Sequence, residues 1–117
     1  MALSIKIRQI NRITILDCAG RLVFGDEALY LRERAKELLK TNKVLVLNLA
    51  GVSYIDSGGL GILVGLLTSA RAAGGDLKLA NPNARAREVL TITHLNEVFD
   101  IHASSEKAAE SAQHAAA

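Results

Sequence analysis

Apolar and polar residues alternate at the start of the chain, where Ile5, Ile7 and then Ile10 stand among Lys6, Arg8 and Gln9. A period of two is that of a half-buried strand. Asn11-Arg12 interrupts it, and Ile13-Thr14-Ile15-Leu16-Asp17-Cys18-Ala19 reads as the return strand of a hairpin, ended by Gly20. Arg21 to Gly25 then reads as a short connector or, alternatively, as a connector that first adds one more pair of residues to the sheet. From Glu27 to Lys40 the period lengthens: Ala28, Leu31, Ala35 and Leu38-Leu39 recur at helical spacing, with Arg32, Glu33, Lys36 and Glu37 off the stripe. Asp26 stands where an N-cap is expected, acids open this helix and Lys40 closes it, as the helix dipole favours. Its mixed charged face reads as a solvated surface.

Val44 to Leu49 is a continuous apolar run that reads as a buried central strand. A second run, Ile62 to Leu67, lies in a helix predicted over Ser57 to Ala73 and stopped by Gly74-Gly75. Leu77 to Ala80 is a short strand, Asn81-Pro82-Asn83 a break, and Ala84 to Thr91 a short helix, with His94 near its end. Val98 to Ile101 reads as the last strand. Ser104-Ser105-Glu106-Lys107 opens a serine-capped terminal helix, and the alanine-rich stretch from Ser111 to Ala117 is expected to fray. Strands alternating with helices after a hairpin require right-handed crossovers and parallel neighbours. The expected fold is therefore α/β: one domain over residues 1–117, with a single mixed sheet of four to five strands and about four helices. Sites in such sheets gather beyond the carboxyl ends of the strands. Both Asp56-Ser57 and the Gly20–Asp26 connector fall on that edge.

Three glycines, Gly58, Gly59 and Gly61, occupy the first turn of the central helix. Each costs a helix about 1 kcal/mol relative to alanine, so their presence calls for a reason. The reason expected from sequence is a backbone at Gly58, Gly59 and Gly61 kept bare for close approach by something else, with a large side chain at Gly59 expected to block partner binding while sparing the fold. Asp56 or Ser57 serves at least as an N-cap. The same geometry would also tolerate an anion on Ser57, because free N–H groups and the positive helix end face it. The central helix is moreover apolar on two stripes, Leu60, Leu63, Leu67 and Ala70 on one and Ile62 and Leu66 on the other, with Val64 between. One stripe covers the sheet; the other meets a neighbouring element or forms an interaction surface.

Composition narrows the functions. Half of the 117 residues are hydrophobic, mostly aliphatic, with two Phe, two Tyr and no Trp. A net charge of +2 on scattered Lys and Arg, with so few stacking rings, argues against nucleic-acid binding. The single cysteine, Cys18, fits a reducing compartment and is expected to be buried. The start has no signal-peptide pattern and no run reaches the ~18 apolar residues of a membrane span, so a cytoplasmic protein is expected. Ser57 lacks the G-x-S-x-G surround of a hydrolase elbow, and the histidines, His94, His102 and His114, all fall in the last quarter of the chain. No phosphate-binding or dinucleotide motif and no metal spacing occurs, so neither catalysis nor a cofactor is expected.

With Asp56-Ser57-Gly58-Gly59-Leu60-Gly61 between an apolar strand and an apolar helix, the chain resembles the STAS family and, within it, the bacterial anti-sigma factor antagonists. The opening hairpin, Gly20, the helix from Glu27 and the Asn81-Pro82 break extend the likeness from Ile5 to Glu110. The resemblance implies that Ser57 is the phosphoacceptor, Asp56 the acidic residue before it, and Gly59-Leu60 the Gly-aliphatic pair. Gly58 departs from the Ser or Thr of many members. Asp56, Gly58, Gly59, Leu60 and Asp26 are the implied partner-binding neighbours. A switch is implied, in which unphosphorylated Ser57 permits binding to an anti-sigma factor that is also a serine kinase, and a phosphoserine phosphatase restores it. STAS domains also serve as non-phosphorylated scaffolds in transport or stress-sensing complexes; there Ser57 would be only a cap.

Overall fold

The computed structural model describes residues 3–116, and side chains from 3 to 113. A five-stranded sheet runs in the order β1-β2-β3-β4-β5, formed by Ser4–Ile10, Ile13–Leu22, Val44–Ile55, Asp76–Ala80 and Asp100–His102. β1 and β2 are antiparallel and every later pair is parallel. The helices are α1 (Asp26–Leu39), α2 (Ser57–Ala72), α3 (Ala84–Ile92) and α4 (Ser105–Ala116). The expected mixed α/β sheet with four helices is thus the observed fold.

The hairpin turn has positive φ at both Asn11 (49°) and Arg12 (72°), the backbone whose twist matches that of paired strands. β2 does not stop at Gly20, as its glycine suggested. Register shifts around Ala19 and Gly20 form a bulge there, Gly20 takes a φ of 111° that only glycine enters freely, and pairing resumes through Leu22. β3 likewise continues past Leu49 to Ile55 and stays paired to β2, from Ala19↔Gly51 to Leu22↔Ile55. A Cβ on Gly51 would lie 2.8 Å from the Ala19 Cβ, so this glycine keeps the strands in register. The last strand falls at Asp100–His102, two residues later than its apolar pattern indicated, because Lys78 pairs with Asp100 and Ala80 with His102.

Alternation puts Leu16, Cys18, Leu22, Leu45, Leu47, Leu49, Leu77 and Leu79 on one sheet face, buried under α1, α2 and α3. There the second stripe of α2 is accounted for: Leu66 is buried with Leu63 and Leu67, and Leu60, Ile62 and Val64 pack at the margin. Cys18 lies inside as expected, and burial pushes its thiol up to about 12. The opposite face holds a small cluster, Ile15, Val46, Ala80, Ala108 and Ala109, covered by α4. Ser104 Oγ accepts from the Lys107 N–H as the expected serine cap. Within the stretch expected to fray, Ala112 is buried and Gln113 Nε2 donates to the Asn11 carbonyl at 2.7 Å. Ala117 lies outside the described residues.

Candidate functional site

Because β2 and β3 are parallel neighbours, their carboxyl ends reach one edge together. Beyond Leu22 the chain passes through Val23, Phe24 and Gly25 to α1; beyond Ile55 it passes through Asp56 to α2. Asp56 joins the two exits. Its backbone is extended, and its Oδ1 accepts the Gly59 N–H at 2.8 Å, a side-chain cap of α2. The same carboxylate accepts the Phe24 N–H at 3.1 and 3.2 Å, while the Asp56 N–H donates to the Leu22 carbonyl. The Gly59 N–H foremost, then the Phe24 and Gly58 N–H groups, hold the Asp56 carboxyl below its ordinary range against a smaller effect of burial.

Capping therefore falls to Asp56. Ser57 is the first residue of α2, exposed, and its hydroxyl has no hydrogen-bond partner among the described residues. The neighbouring hydroxyls differ: Ser53 Oγ donates to the Gly20 carbonyl and Thr68 Oγ1 to the Val64 carbonyl. Ser57 thus stands at the positive end of a sixteen-residue helix with its hydroxyl free.

Two expectations are corrected here. Gly58 and Gly59 are not bare for a partner, because their space is filled by the chain's own connector. A Cβ at Gly59 would fall on the Leu22 carbonyl oxygen, and one at Gly58 would lie 2.5 Å from the Phe24 Cβ. A large residue at Gly59 would therefore damage the fold, not merely the surface. The Phe24 contact also gives the physical reason for glycine in place of Ser or Thr at position 58. Asp26, secondly, is not the cap of α1: Gly25 occupies that position without a side-chain bond, and Asp26 is the first helical residue, with an exposed side chain.

The open positions are Gly61 and Gly65, where an added Cβ would meet nothing within 4 Å. Four residues apart on a helix, they share a face, and with exposed Ser57 and Thr68 they make a low stripe running from the serine. Leu60 is half-buried beside it. Phe24, 78% exposed, stands at the head of the stripe over Gly58. Sequence reasoning included Gly61 among the first-turn glycines and Phe24 only as part of the Gly20–Asp26 connector, and it missed Gly65. The four-residue glycine spacing and a lone aromatic in a glycine-bounded connector were the available signals.

Two surface depressions lie elsewhere, one against α1 between Tyr30 and Lys40 and one among Leu39, Asn42, Lys43 and Ala70; neither is bordered by Asp56 or Ser57. Among the described residues no group of His, Cys, Asp and Glu is placed to hold a metal ion, and no helix is long and apolar enough to cross a membrane.

The anti-sigma-B factor antagonist of Bacillus subtilis is 35% identical over 107 residues, 91% of this chain and 96% of that protein. The crystal structure of TM1081 from Thermotoga maritima superposes with a TM-score of 0.85 at 26% identity, over 93% of this chain and 94% of that one. The Bacillus cell-fate determinant SpoIIAA, in its phosphorylated form, shares the fold at 20% identity and a TM-score of 0.72, covering 92% and 97%. The STAS domain pattern matches residues 4–108, nearly the whole chain, which therefore belongs to the STAS family.

Proposed function

We infer that this STAS domain is an anti-sigma factor antagonist whose binding to an anti-sigma factor with serine kinase activity is switched by phosphate on Ser57. The observation that carries the reading is the division of labour at the α2 N-terminus. Asp56 caps the helix, so the exposed Ser57 hydroxyl has no structural work and is free to accept a phosphoryl group. The similarity to the Bacillus subtilis anti-sigma-B factor antagonist over nearly the full length of both chains supports the partner class. A scaffold in which Ser57 is only a cap is disfavoured by the same division.

The modified serine would carry about −1.5 to −2 charges and three acceptor oxygens at pH 7. Inside the protein it is tolerated, since the first-turn N–H groups and the helix dipole face it. Toward a partner it is not, because Asp56 already holds a negative charge beside it. The fold stays while the interface weakens. A coupling of about 1–3 kcal/mol changes affinity roughly 5- to 150-fold. A phosphoserine phosphatase would reverse the change, and the nucleotide would belong to the kinase.

The test is incubation with the cognate kinase and ATP, peptide mapping, and titration of the partner with Ser57→Ala and Ser57→Asp. Ser57→Ala is expected to bind and to resist release, and Ser57→Asp to bind more weakly than wild type. Phosphate on Ser53 or Thr68 instead, or equal binding by wild type and Ser57→Asp, refutes the switch and returns the scaffold reading.

A further inference from the structure

One residue back from the Leu22–Ile55 pair, on the opposite face of the sheet, Arg21 is paired with Tyr54. The Arg21 guanidinium carbon lies 5.4 Å from the centre of the Tyr54 ring, and that of Arg85, from the first turn of α3, lies 5.5 Å from it. Three elements thus converge to hold two cations on one ring. Both arginines are exposed and Tyr54 is 38% exposed. Among the described residues neither guanidinium has an ion-pair partner, whereas Arg8, Arg32, Arg34 and Arg71 each have a carboxylate.

A guanidinium settled over an aromatic ring gains from the ring's charge distribution and keeps its N–H groups for bidentate contact with a carboxylate. Two such forks anchored on one ring are already ordered, so less freedom is lost when an anion docks. The ring, taken up by the two cations, is not available to stack a nucleic-acid base. Tyr54 is three residues from Ser57, at most about 11 Å along an extended backbone. A standard interface covers about 800 Å² of each partner, wide enough to extend round this sheet edge from Ser57 to the cluster.

We propose that the Arg21–Tyr54–Arg85 cluster receives an acidic segment of the protein partner that docks at the Ser57 edge. This deepens the reading of the preceding subsection and rests on it for the partner's identity. It also supplies the reason why phosphate at Ser57 would act so strongly. Phosphate on Ser57 adds negative charge to the same sheet edge, where it repels carboxylates drawn to the arginines and competes for those cations.

The probe is a peptide of five Asp-Glu repeats, titrated into the isotope-labelled protein and followed by the side-chain N–H signals of Arg21 and Arg85. A Ser-Gly repeat of equal length and an oligothymidylate are the comparisons. The acidic peptide is expected to shift those signals, to lose affinity as salt is raised, and to bind about tenfold more weakly to the Arg21→Gln/Arg85→Gln double variant. Absence of shifts at the two arginines, unchanged affinity of the double variant, or tighter binding of the oligothymidylate at the same residues overturns the proposal. No kinase enters this experiment. Its failure leaves the Ser57 switch standing, and failure of Ser57 to accept phosphate leaves its result standing.

Discussion

The first three turns of α2 contain two pairs of glycines with opposite surroundings. Gly58 and Gly59 look inward onto the Leu22–Phe24 connector, with no space for even a methyl group; Gly61 and Gly65 look outward and touch nothing. The inward pair lets β2's exit lie flat against the helix N-terminus, where Asp56 ties the two together through Phe24 and Gly59. The outward pair has no internal role in packing, although each glycine costs the helix about 1 kcal/mol. The same residue type thus serves assembly in one turn and an unoccupied surface in the next. What separates them is which side of the helix they fall on.

The largest expected effect breaks the inward pair. Gly59→Ala drives a Cβ into the Leu22 carbonyl, a backbone atom of a paired strand that cannot rotate away. Overpacking of this kind costs about 3 kcal/mol, and the thermal midpoint should fall by roughly 10 °C. Calorimetry of Gly59→Ala against wild type checks this; an unchanged midpoint would mean that the connector yields freely.

The outward pair should respond in the reverse sense. Gly61→Arg is expected to leave the thermal midpoint at or above that of the parent, yet to weaken partner binding by about 2 kcal/mol, roughly 30-fold, by placing bulk on the stripe that leads from Ser57. Titration of the anti-sigma factor with both Gly61→Arg and Gly65→Arg measures it. Wild-type affinity in both variants would move the docking surface off α2. Gly61→Ala is the gentler form. It adds about 0.5–1 kcal/mol of helix stability at a position with room for the methyl group, read as a higher denaturant midpoint with an unchanged slope.

That reversal could not be read from the sequence, although most of the fold could. The apolar periods located the strands and the first helices, since Leu45, Leu47 and Leu49, or Ala28, Leu31 and Ala35, signal their burial by spacing alone, and a serine cap marked the terminal helix. Boundaries failed where backbone geometry overrode composition. Gly20 looked like a stop but forms a bulge, and the central strand, read as Val44 to Leu49, continues through Ala50-Gly51-Val52-Ser53, with Gly51 paired to Ala19. At the site, Asp56 and Ser57 were legible from their position before an apolar helix. Their separate duties were not, since only the hydrogen bonds to Phe24 and Gly59 show which of them caps. Nor could the sequence give the pairing of Arg21 with Arg85, 64 residues apart, which depends on where α3 crosses the end of β3.

The smallest effect concerns the charge that holds the inward side together. Bonds from the Gly59 N–H first, then from Phe24, keep the folded Asp56 carboxyl below the ordinary aspartate value of 3.8. A carboxyl with a depressed folded value binds its proton more readily in the unfolded chain. Its contribution to stability is therefore complete above the unfolded value and is lost as pH falls toward and through the folded one. Asp56→Asn keeps an oxygen that can accept from both N–H groups but carries no charge. The variant is expected to be less stable than wild type at pH 7; the gap should begin to narrow as pH drops to 3.8, where the unfolded chain takes up its proton, and should close only below the depressed folded value, where wild-type Asp56 is neutral as well. Urea titrations of the two proteins at pH 7, 5, 4 and 3 follow that gap. A difference that persists undiminished at the lowest pH would assign the stabilisation to the geometry of the cap, leaving the charge beside Ser57 to act on the partner alone.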